Sequence, residues 1–360
     1  MSDVNTRVAA ALRAFERGEL VVVTDDDDRE NEGDLICAAS LATPEMMALM
    51  VRHTSGIICA PMTRDAARRL HLAPMVADND APLATAFTVS VDVKHGLNTG
   101  ISAEERTNTV RSLANPNSGA SDFVRPGHVF PLVARDGGLL IRSGHTEAAV
   151  DLCRLCGLPE VGVLSELVND DGTVMRGPQV SEFARTHGLA EVSVNDLIAW
   201  RQRTERLVER VVDETRTLAG GTARVVSYAT RFDPMQHVAI VVGDIRDGAD
   251  VLVRIMRESV VEDILGEAAP RRMLDRIFAD GRGVMIYLRD GATGVAAADP
   301  DEGHESAQSR EREWRDVGLG AQILRDLGVN SIVLLASQDR RYVGLEGFGI
   351  TITGTKSVDG

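Results

Sequence analysis

Residues 25–34 read DDDDRENEGD, eight charges in ten positions, directly after the apolar run 20–24. Carboxylates at this density repel one another unless a cation or an arginine neutralises them. Their hard oxygens suit Mg²⁺ or Mn²⁺ better than Zn²⁺. Arg29 inside the run could hold a hydroxyl or a phosphate, and Gly33 permits close backbone approach or a positive φ. The pattern lacks the spacing of a calcium-binding helix-loop-helix loop. Taken alone, an acidic run is more often a solvated turn, so the loop by itself leaves both readings open.

Other side chains with chemistry lie far along the chain. His128 follows the turn sequence Arg125-Pro126-Gly127, His145 stands in RSGHTEA (142–148), and Glu166 ends an apolar run. A histidine in a turn commonly has no catalytic task, and one at a helix start commonly caps it. Glu166 is less bland. A carboxylate at the end of an apolar strand is partly buried and open to a raised pKa, the condition for a base near neutral pH. Cys59 reads equally as a small buried thiol or a pocket residue. Cys153 and Cys156 form a lone C-x-x-C, which without a second pair reads as packing rather than zinc binding.

These groups need a scaffold. Apolar periodicity predicts helices over 4–17, 44–53, 63–70, 103–114 and 145–156, the last followed by Gly157 as a cap. Strands are expected at 20–24, 56–60, 87–91, 129–134 and 161–167. This is an α+β domain on a mixed sheet, residues 1–203. The charged stretch 200–210 reads as a helix or linker with few apolar anchors. Beyond it, strands at 238–242, 251–255, 283–288, 331–335 and 348–353 alternate with helices at 270–280 and 317–327. That alternation predicts a three-layer α/β domain, residues 208–360. The stretch 289–313, with little to bury, reads as mobile.

Length and composition bound the answer. A chain of 360 residues exceeds one compact core. The net charge of -15 makes a poor partner for nucleic acid or an anionic membrane. A phosphorylated substrate would then need a local cationic pocket or a bound metal. With aromatics at 4%, stacking on bases is not a theme. The sequence has no apolar run long enough to span a bilayer, and the amphipathic N-terminus is unlike a signal peptide. All four cysteines lie in the first half, which argues against a disulfide framework. The cytoplasm is the expected compartment.

The run RENEGD (29–34) after an apolar strand resembles the signature of 3,4-dihydroxy-2-butanone 4-phosphate synthases. RHTSGIICAPM (52–62), FTVSVD (87–92), TGISAEERTNT (99–109), RPGHVFPL (125–132), RSGHTEAAVDLCRLCGL (142–158) and VLSEL (163–167) resemble it further and in order. Together they cover nearly the whole first 200 residues. The resemblance implies conversion of ribulose 5-phosphate to 3,4-dihydroxy-2-butanone 4-phosphate and formate, with Mg²⁺ or Mn²⁺. A proton beside a ketone is too weakly acidic for an unaided base, so a divalent cation and positioned acid/base groups are required. By the same resemblance, Glu30 and His145 hold the metal, and His128 and Glu166 transfer protons. Arg142, Ser143, Gly144 and Thr146 bind phosphate, at what would be a helix N-terminus. Arg29 and Asp34 contact the sugar, as do Glu30, His145 and Glu166. Asp25, Glu32 and Cys59 match pocket positions. A homodimer, with active sites near the interface, is also implied.

From about residue 208 the sequence resembles GTP cyclohydrolase II, in QHVAIVVGDI (236–245), VLVRI (251–255), GRGVMIYLRDG (281–291), VGLGAQILRDLGV (317–329) and EGFGITITG (346–354). These stretches form a core. The chemistry does not follow, because active members carry three zinc cysteines after the LVR strand. Ser259 stands where the first would be, and no cysteine exists beyond residue 156. Arg315 falls near that family's catalytic arginine, but Glu313 replaces the preceding aspartate. This domain is therefore expected to lack zinc and GTP cyclohydrolase II activity. Two other readings stay open: a bifunctional enzyme that opens GTP by another route, and a specialised paralogue acting on an altered sugar phosphate. The second draws on MRGPQVSEFARTHGL (175–189), which departs from the synthase wording near Gly177.

Overall fold

The computed structural model describes residues 2–25, 31–81, 83–230, 235–259, 263–264, 270–289, 307–336 and 345–357; of 2–3, 307–316 and 346–347 it describes the backbone. The chain divides into two compact units, residues 1–200 and 201–360.

In unit 1 the first elements are α1 (Ser2–Glu16), β1 (Val21–Thr24), β2 (Gly33–Ala38), α2 (Pro44–His53), β3 (Cys59–Met62) and α3 (Arg64–Arg69). There follow β4 (Val91–Val93), α4 (Ala103–Ala114), β5 (Phe123–Val133), α5 (His145–Leu155), β6 (Gly162–Glu166), α6 (Pro178–His187) and β7 (Ala190–Ser193). The sheet order is β4-β5-β3-β6-β2-β1-β7. β1 pairs parallel with β7 and β3 parallel with β5; the other ladders are antiparallel. The mixed sheet is the one expected. All six residues of β2 are buried, as suits a central strand covered on both faces. Met47, Met50, Leu113 and Phe183 pack on one side of it with Leu35 and Val163. Caps fix where the helices begin. Thr43 Oγ1 accepts from the Met46 N–H before Pro44, and Ser102 and Glu105 cap α4 reciprocally.

One expectation is corrected here and a second is narrowed. Residues 87–90 are not strand: Phe87 and Thr88 form only isolated bridges, and β4 begins at Val91. The Thr88 N–H donates to the Pro131 carbonyl, and a proline has no N–H to return, so no ladder closes. Of the two readings of 200–210, helix or linker, the structure shows the helix for its first part. Helix α7 (Val194–Thr204) runs into it and the next strand starts at Val208. Its anchors are polar, which hid them. Arg201 is buried and pairs with Glu205 at 2.6 Å, and the Leu207 N–H donates to Gln322 Oε1 at 2.7 Å.

Unit 2 contains β8 (Val208–Leu218), β9 (Gly221–Thr230), β10 (His237–Val242), β11 (Val251–Arg257), α8 (Pro270–Asp280), β12 (Gly283–Leu288), α9 (Ala307–Asp326), β13 (Ser331–Ala336) and β14 (Thr351–Ser357). Its sheet order is β14-β13-β11-β12-β10-β9-β8. The first four strands are parallel and the last three antiparallel. Met273 and Ile277 of α8 pack on Leu252 and Met285. The β8–β9 hairpin has no counterpart in the expected strands, because β8 exposes nearly every residue and reads as charged surface. The last strand begins at Thr351 rather than 348, after a 3₁₀ turn. Of the stretch expected to be mobile, 290–306 lies outside the described residues, whereas 307–313 is helix.

Candidate active site

Strand register gathers the chemistry at one end of the central strands. Asp34, the second residue of β2, lies opposite Glu166, which closes β6 and is exposed there rather than partly buried as its place after an apolar run predicts. Cys59 opens β3, pairing with Leu164 of β6 and with Phe130 of β5. His145 starts α5 with Nδ1 3.8 Å from Asp34 Oδ1, both side chains almost wholly buried. Four residues far apart in sequence thus converge because three strands end together and one helix begins there.

The acidic loop springs from the neighbouring strand pair. Asp25 Oδ1 accepts the Glu32 N–H at 2.9 Å and closes the neck of the loop. Glu32 forms a bridge and an ion pair with Arg176, just before α6. The segment whose wording departs from the family pattern therefore closes over the loop's C-terminal side. Asp25 and Glu32 are engaged in building the loop. Arg29 and Glu30 lie outside the described residues. At Gly33, a Cβ would run into the Val180 side chain, so the glycine serves close approach rather than a positive φ. The loop 54–57 is tied to the same strand end. The Ser55 N–H donates to the Glu166 carbonyl, Thr54 Oγ1 meets Ser165 Oγ at 2.7 Å, and Ser165 Oγ donates to the Ile57 carbonyl.

At the start of α5, Gly144 is the N-cap residue and no side chain caps the helix. Ser143, His145 and Thr146 are buried around that terminus. Backbone N–H groups and the helix dipole favour an anion there. Arg142 places Nη1 on Glu147 Oε2 at 2.6 Å and Nη2 on the Leu83 carbonyl at 3.1 Å. A Cβ on Gly144 would collide with both Arg142 and Glu147.

His128 lies on β5, two residues before the partner of Cys59. Its Nδ1 is 2.7 Å from Asp92 Oδ2, and its main-chain N–H donates to Asp92 Oδ1 at 2.8 Å. The His128 side chain is 41% exposed while that of Asp92 is 4% exposed: the ring meets incoming molecules and the acid sits behind it. Asp92 was not singled out from the sequence. The available signal was an aspartate ending the apolar alternation FTVSV. Gly100 closes over the pair, since a Cβ there would strike Asp92 Oδ2 and His128 Nδ1.

Comparison with known proteins shows the family of the chain. Residues 9–200 match the family model described as 3,4-dihydroxy-2-butanone 4-phosphate synthase. The chain belongs to this family. It is an enzyme of riboflavin biosynthesis and a lyase. Residues 209–357 match the model for GTP cyclohydrolase II. The riboflavin biosynthesis protein RibBA of Salinispora arenicola is 46% identical over 366 residues, 96% of this chain and 87% of that protein. RibBA of Bacillus subtilis is 43% identical, covering 96% and 92%. RibBX from A. baumannii, described as a two-domain 3,4-dihydroxy-2-butanone 4-phosphate synthase, superposes with a TM-score of 0.83 at 34% identity over 97% of this chain and 99% of its own. A 3,4-dihydroxy-2-butanone 4-phosphate synthase in complex with two magnesium ions matches 55% of this chain and 97% of its own at 47% identity, TM-score 0.53.

In this synthase Cys59 is not a ready nucleophile. Burial pushes its thiol pKa well up, and the charges of Asp34 and Glu166 push it further, so the reactive thiolate is suppressed. Cys153 and Cys156 are free, with Sγ atoms against the Val161 and Leu12 carbonyls, in keeping with packing. Among the described residues no three His, Cys, Asp or Glu side chains form a metal cage; Glu30, an expected ligand, lies outside them.

In unit 2 the end of β11 is internally bonded. Asp263 Oδ2 accepts the Ser259 N–H at 2.9 Å and also the Tyr287 hydroxyl. Glu258 pairs with Arg289, whose N–H donates to His237 Nδ1 at 3.1 Å. The side chain of Arg315 lies outside the described residues.

Proposed function

We propose that the chain converts ribulose 5-phosphate to 3,4-dihydroxy-2-butanone 4-phosphate and formate, with Glu30 and His145 holding Mg²⁺ or Mn²⁺. The observation that carries this reading is the strand end where Asp34 faces Glu166 with His145 beside it. The donor set suits such an ion: one imidazole and hard carboxylate oxygens. When bound, the cation supplies the Lewis acidity that lets a proton leave carbon beside a ketone. Arg142, Ser143, Gly144 and Thr146 hold the phosphate at the α5 N-terminus, which fixes the sugar's reach. Arg142 would exchange part of its hold on Glu147 for the phosphate. Arg29 and Asp34 orient hydroxyls. His128, with Nδ1–H on Asp92, accepts and returns protons at Nε2, and Glu166 does so from the opposite side.

The same reading takes residues 1–203 as the synthase domain and 208–360 as a domain that does not open GTP. Two things support it. No cysteine lies beyond residue 156, and the Ser259 region is occupied by its own Asp263–Tyr287 contacts. Zinc activation of water has no soft ligand set to use. A homodimer is supported by exposed Ile57, Met75, Val76, Leu83 and Ile101, all within one stretch of unit 1. The cytoplasm is supported by four free thiols; among the described residues no helix is long and apolar enough to cross a membrane.

The test is to give the purified chain ribulose 5-phosphate with Mg²⁺ and, in parallel, GTP with Zn²⁺, and to measure formate. Release from the sugar phosphate alone is expected. Its absence there sinks the synthase reading, and zinc-dependent release from GTP sinks the reading of residues 208–360.

A further inference from the structure

Glu147 stands in the first turn of α5 and is almost wholly out of water, 1% exposed. Both its oxygens are engaged, by groups from the two ends of one connection. Oε1 accepts the Arg135 main-chain N–H at 2.9 Å, just after β5 ends, and Oε2 accepts Arg142 Nη1 at 2.6 Å, just before α5 begins. The second contact has the length of a strong charge-assisted bond. Burying a carboxylate is unfavourable unless partners sit this close, so the pair is a fixed part of the structure.

The connection is held a second time, one turn further along the helix. Asp151, fully buried and four residues on, so on the same face, accepts the Leu139 N–H on Oδ2 at 2.9 Å and pairs with Arg154 at 3.2 Å. A Cβ on Gly138 would strike that carboxylate. The two acids divide the task. Asp151 holds main chain in the middle of the connection, whereas Glu147 also holds Arg142. The guanidinium lies over Gly144, where a Cβ would run into it, and its Nη2 reaches the Leu83 carbonyl at 3.1 Å. It is thereby kept beside the N–H groups that open α5.

We propose that Glu147 is a positioning residue of the synthase, keeping the Arg142 guanidinium over the α5 N-terminus so that the arginine and the helix N–H groups meet one phosphate together. The proposal rests on the reading that the substrate phosphate sits at that terminus. An arginine left to itself has many rotamers to lose on binding, and one ordered beforehand has few. Glu147 orders this one before substrate arrives and shares it with the phosphate afterwards. Because the acid acts through Arg142, its effect falls on the grip on a distant, unreacting group rather than on the chemistry.

The test measures KM for ribulose 5-phosphate, competitive inhibition by inorganic phosphate, and kcat, all in the full chain. Glu147→Gln keeps the shape and an acceptor for the Arg135 N–H but sets an amide against Arg142. It is expected to raise KM and the phosphate inhibition constant together, about tenfold, with kcat within about threefold. Added to Arg142→Met, it should weaken phosphate by no more than about threefold further, because residues acting as one unit give losses that do not multiply. Glu147→Asp, which keeps the charge on a shorter arm, should lose less than Glu147→Gln; if the Gln variant does not fold, the Asp variant carries the same cycle. Asp151→Asn is the control for packing: it should lower the midpoint of thermal unfolding and leave both constants within about threefold. Losses that multiply, a loss confined to kcat, or an equal rise in both constants from Asp151→Asn overturns the proposal. Arg142→Met separates the two ideas. If it alters neither constant, the phosphate lies elsewhere; if it raises both while Glu147→Gln raises neither, only the role of Glu147 has failed.

Discussion

Asp92 grips His128 twice, with Oδ2 2.7 Å from the ring Nδ1 and Oδ1 taking the main-chain N–H at 2.8 Å. Both the position and the tautomer of the ring follow from one acid on the adjacent strand. An amide at position 92 keeps the shape but can present an N–H to Nδ1, which moves the ring proton to Nε2. Asp92→Asn is therefore expected to lower kcat roughly 100-fold with the circular dichroism spectrum unchanged. Formate release under saturating ribulose 5-phosphate measures it, and a variant within about twofold of the parent sets Asp92 aside.

Cys59 is buried at the start of β3, and burial, with the charges of Asp34 and Glu166, pushes its thiol pKa up. A group in that state contributes packing rather than covalent chemistry. Cys59→Ala should keep kcat within about fivefold and lower the midpoint of thermal unfolding by a few degrees, the order expected for a small core cavity. Complete loss of turnover in a folded variant would give the thiol a role that its surroundings argue against.

Much of this site was legible before any coordinates. Glu166 at a strand end and the RSGHTEA run at a helix start are local patterns, and both stand where periodicity puts them. The partners across the sheet were not legible. That Asp34 faces Glu166 is a matter of register between residues 132 apart in number, and no local signal encodes it. Asp92 went unremarked because it sits inside an ordinary strand pattern; its burial, not its neighbours in sequence, marks it. The stretch 200–210 was legible only as a helix or linker, because what anchors it is polar: Arg201 is buried and paired with Glu205.

Glu105 supplies the pH dependence of the loop that closes over His128. The Gly100 N–H, then that of Asn98 and the Ser102 hydroxyl, push its carboxyl down to about 2 from an ordinary 4.5. A depressed carboxylate stabilises the fold above its unfolded value, and that contribution is lost as pH falls through 4.5 toward 2. Compared with Glu105→Gln, the parent should protect the Gly100 amide from hydrogen exchange better at pH 7. The difference should shrink through that acid window. Equal protection at pH 7 would show that the carboxylate does not hold the loop.

His145 carries the prediction about metal. It is buried at the start of α5 with Asp34 beside it, so removing the imidazole would delete a proposed ligand without disturbing a surface. His145→Ala should abolish formate release and weaken Mn²⁺ binding at least tenfold by calorimetric titration, while circular dichroism stays unchanged. Undiminished Mn²⁺ affinity in the folded variant would place the ion elsewhere.

Gly144 tests where the phosphate sits. The residue has no room for a side chain, because a Cβ would meet Arg142 and Glu147. Yet its φ of -108 is one that any residue adopts, so the obstacle is contact rather than backbone strain. Gly144→Ala should push Arg142 aside and tilt the first N–H groups of α5, weakening the grip on a distant, unreacting part of the substrate. Binding of that kind is felt in KM. We expect KM for ribulose 5-phosphate to rise about tenfold, with kcat changing less than threefold. Inorganic phosphate should weaken as a competitive inhibitor in the same proportion. A variant that loses kcat alone, with phosphate inhibition unaltered, would move the phosphate away from this helix terminus and leave Arg142 as the structural partner of Glu147.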